Sequence, residues 1–126
     1  MIIGIGTDIV EISRIKDAVE KWGERFLKKI FTDKEITYCY KKKDPYPHLS
    51  VRFAAKEAFI KASSLLRSRW MLFNEIEVLN EPSGRPFIRI NAPDLEFHAP
   101  DFLVHLTLTH ERNYAVAMVI LERKKS

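Results

Sequence analysis

Two glycines set two residues apart in an apolar run constrain this chain more than any other feature. Met1-Ile2-Ile3-Gly4-Ile5-Gly6-Thr7-Asp8-Ile9-Val10 is rich in β-branched residues and reads as a buried strand. Successive strand side chains point to opposite faces, so Gly4 and Gly6 leave the same face bare. A bare face admits the close approach of another backbone or of a ligand. Asp8 then ends a stretch of seven uncharged residues and precedes Ile9-Val10. A carboxylate so placed is either a cap at the end of the strand or a functional group, because burying it unpaired costs several kcal/mol.

The rest of the chain alternates helix and strand signals. Ile15, Val19, Trp22, Phe26 and Ile30 recur at helical spacing, which predicts one helix from a cap at Ser13 to about Lys29. Thr32-Asp33-Lys34-Glu35 is a capping box that opens a short helix to Cys39 or Tyr40. Lys41 to His48, with three lysines and two prolines, reads as a loop. A helix rich in alanine and straight-chain residues follows from Ser50 or Val51 to about Leu66. Strands are expected over 75–79 and 85–90, joined by the turn Glu81-Pro82-Ser83-Gly84, and again from Phe102 to Thr109. Asn113 to Leu121 is apolar on both faces and belongs at the centre of its sheet, after a tight turn at Glu111-Arg112. Pro93 to Pro100 is broken and holds at most one short turn of helix. With 126 residues and no repeat or linker, the chain reads as one α+β domain, residues 1–126. Its helices pack on a largely antiparallel sheet.

Charge is unevenly distributed. Residues 14–70 carry fifteen basic and seven acidic side chains, whereas 71–122 carry three and eight. The basic half suits phosphates or an acidic protein, although Lys28, Lys29 and Lys41 to Lys43 read equally as a solvated surface. No groove-reading motif or aromatic-basic interleaving accompanies the surplus, so nucleic acid is not the expected partner. Cys39 is the single cysteine, which excludes an internal disulfide and a thiolate zinc site. No run is long enough to span a bilayer and no leader pattern opens the chain. A cytoplasmic protein without a membrane partner is expected.

Three further polar positions carry chemistry. Glu57 and Lys61 are four apart and share a helix face with Ala54, Ala58 and Ala62. They form either a routine surface pair or a buried carboxylate in want of a cation, with Arg52 and Lys56 adding positive charge nearby. His110 ends a strand just after Thr107 and Thr109. His48, His98 and His105 have no better claim than an ordinary polar role. Asp8 and Glu57 together could make a hard oxygen site, since magnesium binds through one or two carboxylates plus phosphates and water. A nucleoside-triphosphatase loop and a dinucleotide fingerprint are both missing. The residues alone reach a phosphate-handling, metal-assisted protein.

The wording goes further. Gly4-Ile5-Gly6-Thr7-Asp8-Ile9-Val10-Glu11-Ile12 followed by Arg52-Phe53-Ala54-Ala55-Lys56-Glu57-Ala58-Phe59-Ile60-Lys61-Ala62 closely resembles the holo-acyl-carrier-protein synthases, the small 4'-phosphopantetheinyl transferases. Phe31 to Glu35, Ile76 to Asn80 with Gly84-Arg85-Pro86, Leu106 to His110, and Tyr114 to Ala117 extend the match along the chain. The resemblance implies that family's fold and the transfer of 4'-phosphopantetheine from coenzyme A to a serine of apo-acyl-carrier protein, releasing adenosine 3',5'-bisphosphate. It implies Mg2+ held by Asp8 and Glu57, and catalytic roles for Glu57, Lys61 and His110, with Glu57 or an ordered water as the base. Coenzyme A contacts are implied for Arg52, Lys61, Ser64, Arg85, Pro86, Thr109 and His110. Carrier docking falls to Arg14, with Lys21 and Arg25. A homotrimer is implied, with active sites between subunits, the carboxylates on one chain and the docking helix on another. One departure stands out: where the family has a glycine-containing loop, this chain has Ser63-Ser64-Leu65-Leu66-Arg67-Ser68-Arg69-Trp70. A longer helix, with Ser63, Ser64, Arg67 or Arg69 on phosphate, would compensate. The 93–100 segment is shorter than the usual helical connection.

Overall fold

A computed structural model of the chain describes residues 1–95 and 101–124. Strand β1 (Ile2–Glu11) leads into helices α1 (Ile12–Trp22), α2 (Glu24–Ile30), α3 (Asp33–Tyr40) and α4 (Pro45–Ala62). Strands β2 (Ile76–Asn80), β3 (Pro86–Ile90), β4 (Phe102–His110) and β5 (Tyr114–Arg123) follow. β1, β5 and β4 form an antiparallel sheet in that order, with β5 at the centre as its two-sided apolarity requires. β2 and β3 form a separate antiparallel hairpin. Helix α4 lies across β1 and β5 and buries Ala54, Ala55, Ala58, Phe59 and Ala62 against Ala117, Val119 and Leu121.

The glycines decide how close α4 comes. A Cβ on Gly6 would fall on the carbonyl oxygen of Ala58 and stand 2.9 Å from the amide nitrogen of Ala62. One on Gly4 would fall on the carbonyl oxygen of Ala62. The bare strand face is therefore filled by helix backbone, and alanines on the helix supply the other half of the fit. Asp8 follows on the same face of β1.

Several boundaries differ from expectation. The first helix breaks at Gly23, which takes φ +57°, so the stripe through Trp22 and Phe26 bends and Trp22 remains 53% exposed. Ser13 does not cap it. The amide of Ile12 instead donates to the carbonyl of Asn113, which ties the helix start to the β4–β5 turn. Helix α4 begins at Pro45, earlier than expected, behind Asp44, whose side chain accepts from the amide of Tyr46. Both prolines fall in the first turn, where missing N–H groups have no helical partner to lose.

At its other end α4 stops at Ala62 and does not run to Leu66. Ser63 Oγ donates to the carbonyl of Phe59 at 2.8 Å. Arg67 folds back to donate to Ser63 Oγ at 3.0 Å and to the carbonyl of Ile60 at 2.9 Å. These bonds satisfy the carbonyls a helix end leaves open. The Thr32 capping box forms as expected, and Glu35 is also buried against α4. Of the 93–100 segment, Pro93 to Leu95 form a turn, and the expected short helical turn otherwise lies outside the described residues, as does His98.

Gly6→Ala should force β1 and α4 apart and lower stability by about 1–3 kcal/mol, the usual cost of overpacking a tight contact. A denaturant midpoint equal to that of the parent protein would show that the close approach is not structural.

Candidate functional site

Asp8, Arg14 and Glu57 line one cleft of about 360 Å³ between β1, α1 and α4, walled by Ile15, Phe26 and Phe53. Asp8 reaches it because it continues the strand face that the glycines press against α4. Glu57 reaches it because Ala54 and Ala58 turn the neighbouring α4 positions inward. Lys61, one helical turn on, bonds Asp8 Oδ1 at 3.1 Å and the carbonyl of Thr7 at 3.0 Å. The expected Glu57–Lys61 face is therefore real, but the lysine's ion pair is with Asp8. Arg14 lines the same cleft as both carboxylates within this chain.

Electrostatics in the cleft are unbalanced. The Glu57 carboxyl is held above the ordinary carboxylate range, first by burial and then by the charge of Asp8, with Lys61 acting in the opposite sense. A partly buried carboxylate with a second carboxylate in the same cleft is a donor set that fits a divalent cation. Among the described residues no cluster of three or more His, Cys, Asp or Glu side chains could hold a metal without help. The donor set matches a hard cation that keeps water and phosphate oxygens in its remaining positions.

A second group of the expected residues assembles elsewhere on α4. Glu57 and Arg52 are five residues apart, which turns them about 140° around the helix and separates them by about 7.5 Å along it. Arg52 is 2% exposed and donates to Asn80 Oδ1 at 2.6 Å and to the carbonyl of His48 at 3.1 Å. Its guanidinium lies 4.4 Å from the Tyr38 ring centroid. His110 meets His48 edge-on, with ring centroids 6.0 Å apart. Asn80 also donates to the carbonyl of Gly84 at 3.0 Å, which links Arg52 to the turn carrying Arg85 and Pro86. Thr109 is not part of this group: it precedes His110 on β4 and projects to the opposite face of the sheet. Tyr38 and Asn80 escaped the sequence reading because their roles depend on Arg52, which is distant in sequence.

Other positive charges expected near phosphate are committed inside the chain. Lys56 is fully buried, with Nζ 2.8 Å from Glu35 Oε1 and 3.0 Å from the carbonyl of Phe73, and it also donates to the carbonyl of Ile76. Burial lowers its pKa and the pairing with Glu35 opposes that. It pins α4 to α3 and β2 and adds no charge to the site. Ser63 and Arg67 close the end of α4. Arg69 makes paired bonds to Glu75 at 2.9 and 2.7 Å and to Asp94 at 2.8 and 3.0 Å. Of the four phosphate contacts suggested for this segment, only Ser64 stands exposed, its amide directed to the carbonyl of Lys61 at 3.4 Å. Lys21 packs its ammonium 5.0 Å from the Trp22 ring, and Arg25 lines a second cleft with Trp22, Phe26 and Lys29. Phe26 borders both clefts, so they are neighbours.

Comparison with known proteins decides the family. Residues 4–119 match the model of the 4'-phosphopantetheinyl transferase superfamily. The chain is 46% identical over 124 residues to the holo-[acyl-carrier-protein] synthase of Halothermothrix orenii, spanning 97% of this chain and 98% of that one. It is 43% identical to the synthase of Thermodesulfovibrio yellowstonii, with coverage of 96% and 99%. The chain belongs to the holo-[acyl-carrier-protein] synthase family. It is an enzyme of the phosphopantetheinyl transferase class, moving 4'-phosphopantetheine from coenzyme A to apo-acyl-carrier protein. The fold agrees with solved synthases. A Bacillus anthracis synthase in complex with CoA (3',5'-ADP) superposes with a TM-score of 0.80 at 33% identity, over 98% of this chain and 99% of that one. A Neisseria meningitidis synthase superposes with a TM-score of 0.82 at 32% identity, over 98% and 100%.

Glu57 binds its proton more tightly in the folded protein than in the unfolded chain, so it subtracts stability as pH rises from the ordinary carboxylate value through its raised one. Asp8→Asn removes one cause of that shift and should bring the Glu57 titration, followed by carboxyl NMR, back toward the ordinary value. An unmoved Glu57 titration would separate the two carboxylates.

Proposed function

We propose that Asp8 and Glu57 hold a magnesium ion, and that this cleft of the synthase performs the transfer. The single observation carrying this reading is the pair of mutually repelling carboxylates, set with Lys61 and Arg14 around one cleft. Two acidic side chains with no third ligand suit an ion that keeps sites for substrate phosphate. Such an ion, when bound, supplies Lewis-acid polarisation of the phosphoryl group. The proton of the attacking serine Oγ passes either to Glu57 or to an ordered water. Lys61, held beside Asp8 by the Thr7 carbonyl, neutralises or protonates the oxygen of the departing bisphosphate.

Coenzyme A is the donor, and its phosphates are assigned to Arg52, Lys61, Ser64, Arg85, Thr109 and His110, with Pro86 beside them. These positions occupy different faces of one chain. The outer face of the three-stranded sheet leaves Ile5 64%, Ile9 62% and Met118 40% exposed. That apolar surface, and the separation of the Arg52–His110 group from the carboxylates, both support a homotrimer in which neighbouring chains complete each active site. Apo-acyl-carrier protein docks on Arg14, Lys21 and Arg25, where basic groups steer an acidic partner toward the adjoining clefts. No helix among the described residues is long and apolar enough to cross a membrane. A cytoplasmic location is part of this reading; the single cysteine, Cys39, is buried and its thiol is pushed up to about 11 chiefly by burial.

Intact-mass analysis of an apo-acyl-carrier protein with coenzyme A tests this reading. A gain of one phosphopantetheinyl group is expected with magnesium and not with a chelator, and Asp8→Ala or Glu57→Ala should abolish it while leaving the fold intact. Full turnover by either variant would contradict the metal assignment.

A further inference from the structure

The Arg52–His110 group contains a second imidazole that the proposed reaction leaves unused. His48 lies in the first turn of α4, half-buried, with its ring edge-on to His110 at 6.0 Å and to Tyr38 at 6.5 Å. Its carbonyl accepts from Arg52, so its backbone and that guanidinium are fixed together. Every element packed here contributes a charge or a polar ring. Arg52 comes from α4 and stacks on Tyr38 of α3, and Lys42, just after α3, holds its ammonium 4.8 Å from the Tyr38 centroid. His110 comes from β4, and Asp44 before α4 is the one acidic group whose field opposes the others at His48. Arg52 uses both terminal nitrogens within the chain, yet its buried Nε has no hydrogen-bond partner. The cluster is therefore cationic and holds one buried donor without a partner, and its half-buried His48 and exposed His110 are the rings an anion can reach.

We infer that His48 takes up a proton when a phosphate monoester of coenzyme A seats against Arg52 and His110, so that donor binding tightens as pH falls. The inference rests on the assignment of donor phosphate to this group and adds a proton to it. In the free protein, burial comes first, then the charges of Arg52, Lys42 and His110, in holding the His48 ring neutral. A dianion placed among those cations reverses the local field and favours the charged imidazole. Between the free and bound titration points the complex holds one more proton than its parts, and affinity must rise as pH drops through that window. The gain ends near pH 6, where the phosphate monoester itself takes up a proton.

Titration calorimetry of adenosine 3',5'-bisphosphate into the full chain tests this, in paired buffers of different ionisation heat that count protons taken up. His48→Phe keeps a ring against His110 and Tyr38 but cannot titrate, and His48→Gln serves if that variant does not fold. At pH 7 the parent protein should take up more protons than the variant. The parent-to-variant affinity ratio should widen between pH 8 and 6, by tenfold for each unit that binding raises the imidazole pKa. Binding by both proteins with equal proton counts and a constant ratio would overturn the inference while leaving the phosphate assignment intact. No binding by the parent protein would overturn both.

Discussion

Everything about the site follows from one contact, the backbone of α4 lying against the side-chain-free face of β1. Gly4 and Gly6 leave no atoms between the strand and the carbonyls of Ala58 and Ala62. At that distance the next residue on the same strand face, Asp8, comes level with Glu57 and Lys61. A larger residue at Gly6 would move the helix outward and carry Glu57 away from Asp8. The packing and the chemistry are thus one constraint, imposed by missing side chains.

Charge is handled in opposite ways on two sides of the same helix. Lys56 is fully buried and fully partnered, with Glu35 as its counter-ion and backbone carbonyls taking its other protons. Glu35 in turn accepts from the amides of Thr32 and Val78, so the pair locks α3, α4 and β2 into one unit. Removing either partner of such a pair leaves an uncompensated buried charge, at a cost of about 3–5 kcal/mol. Glu57 has no such partner. Its carboxyl sits beside Asp8 in a partly open cleft and stays electrostatically unsatisfied. The same helix thus carries a fully neutralised buried lysine on one side and, on the other, a carboxylate that shares its cleft with Asp8.

What the sequence could and could not show divides along the same lines. The Thr32 capping box, the bare face of β1 and the central position of β5 depend on neighbours in sequence or on simple alternation, and each was legible. The Gly23 break was hidden because the apolar stripe continues through it. The start of α4 was hidden because Pro45 and Pro47 look like loop residues until their place in the first turn is known. Lys56 and Lys61 are the clearest case. They are the same residue type five positions apart, yet one is buried by Glu35 and the other reaches Asp8, and both partners lie more than twenty residues away. The same holds for Arg67 and Arg69, two of the four residues offered for phosphate, which cap a helix and join Glu75 to Asp94 within the chain. The resemblance supplied the reaction; only the three-dimensional arrangement showed which partner each cation takes within the chain.

A crystal structure of the protein with coenzyme A and magnesium tests the central claim most directly. One ion is predicted between the carboxylates of Asp8 and Glu57, with donor phosphate oxygens in its remaining positions and β1 still pressed against α4 at Gly6. An ion bound elsewhere, or a donor complex in which either carboxylate turns away from the cleft, would contradict the account.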